Sequence, residues 1–155
     1  MKWNSEDMEM YIQAKEYVDT MVVPFIPFSL SRSDEDTKRL AFHSELMGIF
    51  MNEIEKQYKG RIFLAPAYTY LLDGDYNEEI SKLNNLEEHA RENGFEHILF
   101  FTFDSKWKKR ESKLQASLIW VPAGKFVDIQ SQEAQQMIQE QINQVMELIT
   151  TYWQE

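Results

Sequence analysis

Near the middle of the chain, Ile98-Leu99-Phe100-Phe101-Thr102-Phe103 forms a nearly continuous apolar run. A strand with one wet face alternates apolar and polar residues; a strand without that alternation is covered on both faces. Such a strand demands helices layered against a sheet.

The flanking sequence supplies those helices. Asn4 or Ser5 is suited to cap a first helix reaching about Tyr17, with Met8, Tyr11, Ile12 and Val18 on its apolar side. Ser33, followed by Asp34-Glu35-Asp36, opens a second helix whose Leu40, His43, Met47, Phe50, Ile54 and Tyr58 recur at steps of three and four. Gly60 stands where that helix stops. Asn77 opens a third helix carrying Ile80, Leu83, Leu86 and Ala90, and Asn93-Gly94 closes it. Ser131 starts a last helix with the stripe Ala134, Ile138, Ile142, Val145, Ile149 and Tyr152.

Strands are expected near residues 21–28, 62–72, 97–103 and 113–121. Pro24 and Pro27 each remove a ladder donor, which places that part of the first strand at an edge, a bulge or a strand end. Pro66 breaks or bends the second strand, and Asp73-Gly74-Asp75 ends it as a turn. Residues 113–121 alternate, as an antiparallel strand with one wet face does, so the last two strands read as a hairpin. The order α-β-α-β-α-β-β-α gives an α/β fold: one domain over residues 1–155, a mixed sheet flanked by helices.

Charge and composition narrow the function. The chain carries 26 acids against 16 bases, a net charge of -10, which disfavours nucleic acid and anionic membrane as partners. It has no cysteine, so disulfides, thiolate metal sites and a Cys nucleophile are excluded. Met1-Lys2-Trp3-Asn4-Ser5-Glu6-Asp7 turns polar at once, and no apolar stretch approaches the roughly 18 residues of a membrane span. The expected location is the cytoplasm, without membrane insertion.

Signatures of chemistry are sparse. His43, His89 and His97 lack ligand spacing, and His43 falls in a helical stripe, where a hydrogen-bonded core histidine is expected. Ser29, Ser31, Arg32 and Ser33 follow the first strand, but the acids at 34–36 would repel a phosphate there. No Gly-rich phosphate loop or nucleophile elbow occurs, and no cofactor is implied. Asp73, Asp75 and Asp104 follow strands, where open α/β sheets bind ligands, and three carboxylates there could hold Mg²⁺ in a metal-assisted enzyme. Turn chemistry explains the same residues without a metal.

Lys106-Trp107-Lys108-Lys109-Arg110-Glu111-Ser112-Lys113 departs from the acidic background, leaving 11 bases against 25 acids elsewhere. As a hairpin tip it would be solvated. A tryptophan among bases is also the composition of a binding hot spot, so Lys106, Trp107, Lys108, Lys109 and Arg110 are candidate contacts for a protein partner.

Met1-Lys2-Trp3, Asp7, Tyr11, Lys15-Glu16-Tyr17-Val18-Asp19-Thr20 and Pro24-Phe25-Ile26-Pro27 together resemble the YpiF-like proteins of Bacillus and its relatives, over essentially the whole chain. That family carries no assigned activity, so the resemblance transfers no functional residue. The frequent placement of its genes near the menaquinol–cytochrome c reductase implies an accessory role in respiration. In the order of its elements, including the final hairpin and helix, the chain is also similar to the N-terminal domain of TolB, which binds partners; likeness of fold does not transfer function. The sequence favours a non-catalytic interaction or accessory protein, with the Mg²⁺-assisted enzyme as the alternative.

Overall fold

A computed structural model describes residues 1–125 and 128–154. Five strands form one sheet: β1 (Thr20–Phe28), β2 (Ile62–Leu64), β3 (Tyr68–Leu71), β4 (His97–Thr102) and β5 (Ser117–Trp120). The helices are α1 (Ser5–Gln13), α2 (Asp34–Gln57), α3 (Tyr76–Glu92) and α4 (Gln132–Trp153), with 3-10 helices at Lys15–Tyr17 and Ser105–Lys113. The strand order is β2-β1-β4-β5, with β3 pairing β1 beyond the end of β2.

All five strands are parallel, which corrects the expected mixed sheet. The expected hairpin over 97–121 is a crossover instead. Residues 105–113 coil into a 3-10 helix, and β5 returns alongside β4, pairing Phe100 with Leu118 and Phe101 with Ile119. Parallel neighbours need a connection of about a dozen residues or more, and the basic segment provides it. The final hairpin of the TolB-like order is therefore absent.

β1 is central, not an edge, although it holds two prolines. Backbone groups alternate between flanks along a strand. Thr20 N–H donates to Arg61 and Val22 C=O accepts from Ala65, so Pro24 turns its missing donor toward the same flank. There β2 has ended at Leu64 and β3 has not begun. Pro27 turns the other way, past the last β4 pairing at Pro24↔Phe101. Pro66 opens the gap that Pro24 needs.

Alternation along the central strands divides the core into two layers. Met21, Val23, Phe25, Ile98 and Phe100 pack with α1, α3 and the 3-10 crossover. Val22, Leu99 and Phe101 pack with α2 and α4, through Leu46, Phe50, Ile54, Ile138, Ile142 and Val145. The continuous run in β4 is thus buried on both faces.

The expected caps hold at Asn4, Ser33 and Ser131. The α3 cap is Asp75, not Asn77, because the Asp75 side chain accepts from the Asn77 N–H. α1 stops at Gln13 and continues as the 3-10 turn to Tyr17. Gly94 takes a left-handed φ of 95°, whereas Gly60 lies beyond the Tyr58 cap without a positive φ.

Candidate functional site

β1 and β3 end together, beyond the end of β4, and the loops that leave β3 and β4 hold the three aspartates singled out from sequence. Each has a separate task. Asp73 accepts from Ser29 Oγ at 3.0 Å and Arg32 Nη2 at 2.6 Å. The Arg32 guanidinium, then the Ser29 hydroxyl, holds the Asp73 carboxyl below the usual carboxylate range. Arg32 is thereby spent on Asp73. Asp75 caps α3.

Asp104 anchors a network. Its Oδ2 accepts the Tyr70 hydroxyl at 2.6 Å and the Tyr76 hydroxyl at 2.5 Å, and its Oδ1 accepts the Lys106 N–H at 3.0 Å. The Trp107 indole N–H donates to the Tyr70 hydroxyl at 2.9 Å. Burial, then the Asp104 carboxylate, raises both phenols above their ordinary range. These groups are locked as donors to a carboxylate, so the network braces the sheet edge and supplies no free acid or base.

Asp73, Asp75 and Asp104 do not form a ligand trio. Among the described residues, the histidine and carboxylate trio with ligand atoms within 4.8 Å of one another is Asp19, Glu96 and His97, at the amino end of the sheet. There Asp19 already accepts from the Arg61 guanidinium at 3.0 and 3.1 Å and from the Thr20 hydroxyl at 2.8 Å.

Trp107 is 0% exposed: its ring folds back onto the sheet and does not stand out as a contact for a partner. Its ring packs on Phe25 and Tyr76, with centroids 5.2 and 4.8 Å away. With three residues per turn, the 3-10 helix puts Trp107 and Arg110 on its inner face and leaves Lys106, Lys108 and Lys109 outside. Lys106, Lys108 and Lys109 are exposed and Arg110 is half-buried. Lys106 Nζ and Arg110 Cζ lie 5.7 and 4.8 Å from the Tyr76 ring centroid, and Lys108 Nζ lies 4.6 Å from that of Trp120. Among the described residues, Lys106, Lys108, Lys109, Arg110 and Lys113 form no ion pair, whereas Arg32, Arg39, Arg61 and Arg91 each do.

Two concavities meet at this edge. One, of about 200 Å³, lies between β1, α2 and the residues after β4, with Phe25, Leu40, His43, Leu72 and Phe103 in its walls. The other, of about 450 Å³, is bounded by Tyr76, Lys106, Lys109 and Arg110. Leu72 and Ser105 border both. His43 is half-buried in the first wall, its ring 6.1 Å from Phe103, and its imidazole makes no hydrogen bond among the described residues, unlike the bonded core histidine expected. Burial, and then Arg39, lowers its pKa and favours neutral imidazole.

Tyr70 and Tyr76 were not legible as site residues. The available signal is their placement, three residues before Asp73 and one after Asp75, around the turn that meets Asp104.

Fold and site together define a three-layer α/β domain with a parallel sheet and a cleft at its carboxyl edge. The chain belongs to the family described as "Protein of unknown function (DUF2487)", whose model matches residues 9–153. It is 34% identical over 113 residues to the "Uncharacterized protein YpiF" of Bacillus subtilis (strain 168), covering 72% of each chain. No solved structure matches it. None of the described helices is long and apolar enough to cross a membrane.

Proposed function

We propose that this chain is a non-catalytic, cytoplasmic interaction domain that docks an acidic surface of a partner protein on the exposed bases of the Ser105–Lys113 crossover. The observation that carries this reading is the set of five bases without an ion pair in a protein of net charge -10. Lys106 and Arg110 rest on Tyr76 and Lys108 on Trp120; without a carboxylate partner, the five bases retain their charge for a partner, and the surrounding negative field orients that partner toward them. The buried Trp107 serves as the anchor that holds the basic helix in place, and is not itself a contact. Catalysis is disfavoured because Asp73, Asp75 and Asp104 are committed to Arg32, the α3 cap and the tyrosines.

Photo-crosslinking in the native host tests this. A crosslinking residue at Lys109 should give a discrete protein adduct that one at Gln136 on α4 does not. Identical adducts from both positions, or none from Lys109, would refute the docking surface.

A further inference from the structure

The chain leaves β1 toward β2 and β3 on one flank and later crosses to β4 on the other. The strand order therefore reverses between the carboxyl ends of β1 and β4. In open α/β sheets that reversal opens a crevice where ligands bind. Here the crevice holds both concavities, and they differ in chemistry.

The smaller one offers Leu40, Leu72 and Phe103 for a flat apolar group, and the imidazole of His43 as a polar group with no protein hydrogen bond. The larger one offers Lys106, Lys109 and Arg110, none of them in an ion pair, with Asp73 in the same wall. They adjoin at Leu72 and Ser105, so a ligand spanning that border would reach both. Together they fall in the roughly 300–1,000 Å³ range of small-molecule sites.

Charge then fixes the polarity of the ligand. The helix after β1 commonly receives a phosphate at its N-terminus. In this chain Asp34, Glu35 and Asp36 occupy that first turn and repel one. The cations stand on the opposite lip, on the crossover after β4. Asp73, the acid in that wall, is neutralised by Arg32.

We propose that this cleft binds a phosphate-bearing ligand of mononucleotide size, its ring between Phe103, Leu72 and His43 and its phosphate on Lys106, Lys109 and Arg110. Aromatic and aliphatic walls suit a flat ring, and an unpaired Arg–Lys cluster suits phosphate oxygens. The cations are those of the docking surface proposed above, so a bound phosphate and an acidic partner exclude one another. Ligand binding is nevertheless measured on the purified protein alone, so its failure leaves the docking reading standing, and the reverse holds too.

The test is calorimetric titration with AMP, GMP, UMP and FMN, paired with amide chemical-shift mapping. At least one should bind with a Kd below about 100 µM. Its shifts should cluster at residues 40–44 and 103–110. The parent nucleoside or flavin, and inorganic phosphate, should each bind at least about tenfold more weakly, as should the Lys106→Glu/Arg110→Glu variant. No binding by any of the four, shifts confined to another face, or inorganic phosphate binding as tightly as the best nucleotide would overturn the proposal.

Discussion

The indole N–H of Trp107 donates to the hydroxyl of Tyr70 at 2.9 Å, joining the most basic segment of the chain to the core across 37 positions. This bond ties the crossover to β3, and through Tyr70 to Asp104. Trp107→Ala should cost about 3–5 kcal/mol, the range for emptying a buried aromatic site. Trp107→Phe should cost less, because it fills much of the space and loses the hydrogen bond. Urea denaturation of both variants measures the difference; an unchanged midpoint for Trp107→Ala would show that the ring does not anchor the crossover.

The tyrosines around Asp104 give a signature at high pH. Burial, then neighbouring carboxylates, raises Tyr68, Tyr70 and Tyr76 above the ordinary phenol value. A raised folded-state pKa contributes stability that is complete below the unfolded value near 10 and is lost as pH climbs through the folded value. Ultraviolet titration of the native protein should leave part of the phenol absorbance change missing until the protein unfolds. Asp104→Asn should lower the midpoint of that late phase, since it removes a charge that holds Tyr70 and Tyr76 protonated.

At the opposite end of the sheet, Asp19 gives a signature in acid. Burial raises its pKa, but the Arg61 and Thr20 hydrogen bonds and the Arg61 charge outweigh burial and lower it. The linked stability is present above the unfolded value of about 3.9 and is lost as pH falls through the folded value. Asp19→Asn should therefore be less stable than the wild type at pH 7, with the gap closing below about pH 4. Arg61 also stacks 3.9 Å from the Trp153 ring, so Arg61→Ala should loosen the end of α4, read as faster amide exchange over residues 149–153.

Much of this fold is legible in the sequence. The stripe of α4, the caps Ser33 and Ser131, and the doubly buried β4 run depend on local periodicity and local hydrogen bonding. The errors arose where a distant segment decides. The prolines allow an edge, a bulge or a strand end; Pro27 does fall near the end of β1, but that β1 is central depends on the gap at Pro66 lying opposite Pro24. Alternation over 113–121 cannot report strand direction, because Leu114 and Leu118 face the same layer whichever way β5 runs. Trp107 looks like a loop hot spot until Tyr70, Tyr76 and Phe25 are seen to enclose it. The aspartates stand at strand ends, as the sequence implies, but their partners come from other loops, and spacing does not encode those pairings.

If the exposed bases serve binding and not folding, reversing them should leave the fold intact. The combined Lys106→Glu, Lys109→Glu and Arg110→Glu variant should lose at most about 0.5 kcal/mol at each of the exposed Lys106 and Lys109, and about 1 kcal/mol at half-buried Arg110, whose guanidinium rests on Tyr76. A larger loss in thermal or urea unfolding would assign these side chains a structural role.

The docking surface itself is tested most directly by titrating the partner identified through Lys109 crosslinking against the wild type and this triple variant, at low and at raised salt. The wild type should bind more weakly as salt screens the contact, and the variant should lose at least about tenfold in affinity at low salt. Equal affinity of the two proteins, with no dependence on salt, would contradict the account.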